Sequence, residues 1–154
     1  ANQAAEMAEG NVTVIPSRNI PQGIAAVLAF NPDLDAAANA VAMTGALADV
    51  QSGEVTTAVR STTLNGVAVA EGQAIAMLEG ELVSATRTPN EALIAMLDHA
   101  ELEDGSLVTL YCGADNLGRL AKEAAGIIES RYSGVDVDII EGGQPHYSYL
   151  VSIE

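Results

Sequence analysis

The chain has 154 residues, 49% of them apolar, and is enough for one hydrophobic core or for two small lobes that share an interface. Its 21 acidic and 6 basic residues give a net charge of −15, which repels phosphate backbones and anionic lipid surfaces and so argues against nucleic acid and membrane surfaces as partners. One phenylalanine and no tryptophan leave an aliphatic core of Ala, Val, Ile and Leu, which suits a sheet covered by helices.

No apolar run approaches the ~20 residues that span a bilayer. The single cysteine, Cys112, excludes an internal disulfide, and no charged-then-apolar leader is present, so the reading is a cytoplasmic protein. Ala1 to Glu9 reads as the last turns of a helix closed by Gly10. The sequence thus opens inside an element, and more protein is expected before Ala1.

Val12 to Ile15 is β-branched and reads as a short buried strand. Ser17, Arg18 and Asn19 form a polar turn, and Pro21, placed at the first helical position, starts a helix to about Ala29. A second helix is expected from Leu34 to about Val50, capped by Asp33 and ended by Gly53. Glu54 to Ser61 alternates as a strand, and Asn65-Gly66 turns the chain into Val67 to Val69. Ala74 to Leu78 and Glu81 to Ala85 form a second hairpin around Glu79-Gly80.

Thr88, Pro89 and Glu91 spell a capping box with proline at the helix start, so a helix follows to about Ala100. Leu107 to Tyr111 is a strand. Asp115 or Asn116 caps a helix to Arg131 whose expected buried stripe is Leu117, Leu120, Ala121, Ala124, Ile127 and Ile128. Val135 to Ile140 and Tyr149 to Ile153 are strands, separated by the polar loop Glu141 to Tyr147. The order predicts an α/β fold with a mixed parallel and antiparallel sheet packed with helices, read as residues 1–52 belonging to an upstream lobe and 53–154 forming a mixed α/β lobe.

The chemistry-bearing residues are sparse. Neither a G-x-x-x-x-G-K-[ST] nor a G-x-G-x-x-G segment occurs, and the only lysine, Lys122, falls inside a predicted helix. His99 and His146 have no metal-ligand spacing, and Asp136 with Asp138, or Glu101, Glu103 and Asp104, read as solvated carboxylates. Ser17 and Cys112 follow strands, where nucleophiles often sit, but neither has a base nearby in sequence. Arg18 is placed to pair bidentately with a partner carboxylate or phosphate, or else to face solvent. No catalytic residue, no metal site and no cofactor are assigned to this chain. The candidate partner- or ligand-binding residues are Ser17, Arg18, Asn19, Pro21 and Gln22 on one loop, with Gly142, Gly143, Gln144, Pro145, His146 and Tyr147 on the other.

Three ordered segments carry a family resemblance: Val12 to Pro32, Gly53 to Arg60, and Glu141 to Leu150, the last reading Glu-Gly-Gly-Gln-Pro-His-Tyr-Ser-Tyr-Leu. Together they resemble the C-terminal region of the A subunit of bacterial fatty acid kinase, the family also labelled DAK phosphatase or dihydroxyacetone-kinase-like. The resemblance implies a DegV-like fold. It implies a parent enzyme that is an ATP-dependent kinase acting on an acyl carboxylate, with ATP and Mg²⁺ held by an N-terminal domain absent here. It further implies contact with the rest of the parent chain and docking of a DegV-type fatty-acid-binding subunit. A homodimer is left open, and the alternative reading is a DegV-like domain that binds a fatty acid or small ligand itself, with Arg18 or His146 meeting its carboxylate. The family's earlier Glu-Gly-Gly-Gln-type segment, upstream of the strand matched by Val12, is missing from this chain.

Overall fold

A computed structural model describes residues 1–8, 10, 12–114 and 118–154. The chain divides into two compact units, residues 1–50 and residues 51–154.

The first unit is helical. Helix α1 spans Asn2–Met7, with Ala8 already extended beyond it, and Glu9 lies outside the described residues. Helix α2 spans Ile20–Leu28 and α3 spans Ala36–Gly45, and the two pack together. The expected strand at Val12 to Ile15 is not formed; these residues are coil. Its β-branched composition favours an extended chain, but a strand exists only when its backbone groups find a neighbour to pair with. The cap of α3 is Asp35, whose carboxylate accepts from Ala38 N at 2.8 Å, and not Asp33. Buried Asn39 holds the turn between α2 and α3. Its Oδ1 accepts from Asn31 N at 2.8 Å, and its Nδ2 donates to the carbonyls of Asn31 and Leu34 at 2.9 and 3.0 Å.

The second unit is the expected mixed sheet. Its strands are β1 (Gln51–Thr57), β2 (Thr62–Leu64), β3 (Val67–Val69), β4 (Ala74–Leu78), β5 (Glu81–Thr86), β6 (Leu107–Cys112), β7 (Asp136–Glu141) and β8 (Tyr147–Ile153), with α4 at Pro89–Leu97 and α5 at Arg119–Arg131. Six of them form one sheet in the order β5-β4-β1-β8-β6-β7, in which only β6 and β7 run parallel. β2 and β3 make a separate two-stranded ribbon, joined by Asn65-Gly66 with positive φ at both residues. The turn lies where the sequence places it, but its first strand is Thr62–Leu64 and is not continuous with β1. Glu79-Gly80 turns β4 into β5 in the same mirror-image turn.

Gly53 does not end a helix; it lies inside β1. A Cβ there would sit 2.5 Å from Met96 Sδ, so the missing side chain is what lets α4 lie close on the sheet. The capping box of α4 is present, Thr88 Oγ1 accepting from Glu91 N at 3.2 Å while Glu91 accepts from Thr88 N. One face of the sheet and both helices enclose a single core containing Val55, Leu93, Met96, Leu110, Ile128 and Tyr149. On the other face a smaller cluster joins Val69 of the ribbon to Leu82 and Ala58.

The stripe of α5 is rotated from the expected one. Ala121, Ala124, Ala125 and Ile128 are buried, whereas Leu120 and Ile127 are 37% and 43% exposed. Small residues on the inner line allow the helix to approach the sheet closely, and that rotation turns the bulkier ones outward. Leu117 and the expected caps Asp115 and Asn116 lie outside the described residues.

Candidate functional site

The first predicted loop is the start of α2. Asn19 is the cap, its Oδ1 accepting from Gln22 N at 3.0 Å, and Gln22 Oε1 in return accepts from Arg18 N at 3.0 Å. Pro21 is buried in the first turn, while Ser17 and Arg18 are exposed. The side-chain oxygens of Asn19 and Gln22 therefore satisfy orphan donors at the helix start. Behind the loop, Ile20, Gly23, Ile24, Val27 and Leu28 follow one another at helical spacing, so they share one face. This face points outward: Val27 is 67% and Leu28 76% exposed, and a shallow depression lined by these five residues runs along it.

The second loop wraps the carboxyl end of β6. Gly142 N and Gly143 N both donate to Cys112 O, at 3.0 and 2.9 Å, and Gln144 Nε2 donates to Tyr111 O at 2.7 Å. Gln144 O accepts from Ala114 N at 3.1 Å, and His146 O accepts from Thr56 Oγ1 at 2.6 Å. A Cβ on Gly113 would collide with the carbonyl of Tyr147, so the loop can lie this close only against glycine. Gly142, Gly143, Gln144 and Tyr147 are thus brought together around one strand end, with Pro145 and His146 exposed on the outside. The loop's backbone is committed to holding its own shape. The two predicted loops lie in different units, one within residues 1–50 and the other within residues 51–154.

The second loop holds the Cys112 carbonyl, while the Cys112 side chain is buried in the main core, and burial, reinforced by the Glu141 carboxylate, pushes its thiol pKa up. A thiol held in that state is a poor nucleophile. Among the described residues, no three His, Cys, Asp or Glu side chains converge as a metal site. No helix among them is long and apolar enough to cross a membrane.

Two arrangements are not foreseen by the sequence. The first is a polar tie at each end of the α4–α5 pair. Tyr149 hydroxyl donates to Asn90 Oδ1 at 2.7 Å, and Asn90 Nδ2 donates to Leu120 O at 3.1 Å. At the other end Arg131 donates twice to Asp98 from Nη2, at 2.8 and 2.7 Å, and Tyr132 hydroxyl donates to Asp98 Oδ1 at 2.7 Å. The Tyr132 hydrogen bond and then Arg131 hold the Asp98 carboxyl below its ordinary range. Burial, with Asp98 beside it, pushes Tyr132 up to about 12. The second arrangement is the groove between these ties, about 570 Å³, with Pro89, Ile94, Ala95, Leu120 and Ile127 among its lining. Only the exposed Leu120 and Ile127, at helical spacing, could have signalled it.

A family model for the C-terminal region of FakA-like proteins, those resembling the A subunit of fatty acid kinase, matches residues 1–154. The chain belongs to this family. It is 37% identical over its whole length to the protein YloV of Bacillus subtilis (strain 168). It is 34% identical to the uncharacterized protein SH1689 of Staphylococcus haemolyticus and 31% identical to the uncharacterized protein SAUSA300_1119 of Staphylococcus aureus, again over all 154 residues. In each case the match covers 28% of the relative, so this FakA-like chain spans little more than a quarter of the curated relatives it matches.

Proposed function

We propose that the chain is the non-catalytic C-terminal module of a fatty acid kinase. In this reading it docks a DegV-type fatty-acid-binding protein, and an ATP- and Mg²⁺-dependent domain elsewhere in the parent phosphorylates the carboxylate of the bound fatty acid. Family membership sets the context. The observation that carries the docking role is the outward apolar face of α2 beside Arg18. Residues 19–32 contain no charge at all in a chain of net charge −15, so this is a place where another protein surface can approach without like-charge repulsion.

An exposed apolar stripe rimmed by polar residues is the anatomy of an interaction surface. Val27 and Leu28 would supply contact area, and Arg18 would supply a bidentate partner for a carboxylate at the rim. The test is binding of this chain to the cognate fatty-acid-binding protein, measured by calorimetry. Val27→Asp is expected to weaken binding by about tenfold or more, and Arg18→Glu by less, mainly through a slower on-rate. If neither this chain nor the longer parent binds that protein, the reading fails.

A further inference from the structure

Val12, Thr13, Val14 and Ile15 are all β-branched, the composition of a strand buried on both faces, yet they are coil. Their backbone is unpaired. Among the described residues none of their four N–H groups donates to the protein, and of their carbonyls only that of Ile15 accepts, from Ser17 N at 2.9 Å. None of the four has the positive φ that would bar pairing. The six-stranded sheet and the ribbon of the other unit are built from residues 51–153 and take no strand from this segment.

What the segment does have is a helical layer. Thr13 and Ile15, two residues apart and so on one side of an extended chain, line a depression of about 230 Å³ together with Phe30 just beyond α2 and Asn39, Ala40 and Met43 of α3. Val12 and Val14 line no part of it, and Val12 is 52% exposed. A β-branched segment with helices against one side and no neighbour along either edge is a single strand of an α/β layer without the rest of its sheet. Ladder hydrogen bonds are what such a segment lacks.

The missing neighbour has a source. The matches to YloV and to the two staphylococcal proteins cover 28% of each, so most of a parent of that size lies outside these 154 residues. A strand from that portion is tethered to the segment, which raises its effective concentration, whereas a strand from a second copy brings another net charge of −15 beside the first. We infer that residues 12–15 are one strand of a second sheet, completed by main-chain pairing with an apolar strand that the parent contributes from outside these 154 residues. Thr13 and Ile15 face the helices in it, and Val12 and Val14 face the other side. The pairing shares no residue with the outward face of α2, so it leaves that face open while fastening the unit that carries it to the parent.

The test is hydrogen exchange on the full-length parent and on the 154-residue chain, both without any fatty-acid-binding protein. In the parent, at least alternate amides among residues 12–15 are expected to exchange about a hundredfold or more slowly than in an unstructured chain, and in the 154-residue chain all four within about tenfold of that rate. Of the parent variants Thr13→Pro and Val14→Pro, at least one removes a ladder donor and is expected to speed exchange at the remaining amides by about tenfold or more. Retained protection of β6 and β8 shows that the variant is folded. Unprotected amides in the parent, or protection already present in the 154-residue chain, overturns the inference. So does protection that neither proline moves, which would mean burial without pairing. Protection lost on dilution of the parent would assign the pairing to a second copy, and protection that appears only when the fatty-acid-binding protein is added would assign it to that protein; either overturns the inference. If both prolines unfold the parent, the two unmutated measurements still decide. The proposed docking role can fail with this inference intact, because the deciding measurements are made without that protein.

Discussion

Residues 51–154 and residues 1–50 draw on similar side chains and use them differently. In the first, Leu93, Met96, Leu110, Ile128 and Tyr149 vanish between a six-stranded sheet and two helices. In the second, the buried residues among those described are Pro21, Ala26, Asn39 and Val50, and Ile20, Val27 and Leu28 of α2 are exposed. Order in the sheet unit comes from burial, at about 25 cal/mol per Å² of apolar surface removed from water. In the helical unit it comes from caps: Asn19, Gln22, Asp35 and Asn39 each satisfy backbone groups. The contrast teaches that a segment can be locally well specified and still lack a core of its own.

The largest effect that separates the two units is a pair of leucine truncations. Leu93→Ala removes a fully buried side chain and should cost about 3 to 5 kcal/mol, whereas Leu28→Ala should stay within about 0.5 kcal/mol. Denaturant midpoints of the two variants measure this; comparable losses would mean that the α2 face is buried in solution and would dissolve the comparison. Next in size is Asn39→Ala. It strips the α2–α3 turn of its side-chain bonds and should cost the helical unit about 1 to 2 kcal/mol. Hydrogen exchange should show faster opening of α2 and α3 while β6 and β8 keep their protection; unchanged exchange in α2 would show that the caps do not set the unit's order.

The smallest effect is at the surface tie of the sheet unit. Asp98→Asn should cost about 1 kcal/mol, because the site is partly exposed and solvent screens it. Its sign with pH is fixed. The folded-state pKa of Asp98 is lowered, so the stabilisation is whole above the ordinary carboxyl range and is lost as pH falls through the folded value. Tyr132 acts at the other extreme: its pKa is raised to about 12, so its contribution is whole below its ordinary range near 10 and fades as pH rises from there toward 12. Unfolding midpoints of the parent and Asp98→Asn chains across acidic pH should converge; parallel curves would remove Asp98 from the account.

What is legible in the sequence tracks how local its physics is. The capping box at Thr88 and Glu91, and the turn at Glu79-Gly80, depend on four or five consecutive residues and fall where the sequence puts them. The mixed sheet follows from the order of the strands. Val12 to Ile15 fails because composition can favour an extended chain without supplying the neighbour that makes it a strand. Gly53 looks like a stop because its true reason, Met96 lying over it, comes from far along the chain. Leu120 and Ile127 have the right periodicity for burial, but periodicity alone leaves the rotation of α5 undecided, and the alanines settle it. Of the candidate sites, the first loop is legible as a helix start although its cap, Asn19, is not. The second is legible as a glycine-bearing loop, while its grip on Cys112 O and Tyr111 O needs the parallel pairing of β6 with β7.

That grip gives the lone thiol a further use. Cys112 sits on the strand that joins the parallel pair to the rest of the sheet, with β7 on one side and β8 on the other. Its side chain is 1% exposed in the main core, so a thiol reagent reaches it only in molecules whose core has momentarily opened. At reagent concentrations where reclosing outpaces modification, the labelling rate becomes a stopwatch for that excursion, reporting its free energy at one known position without any engineered probe.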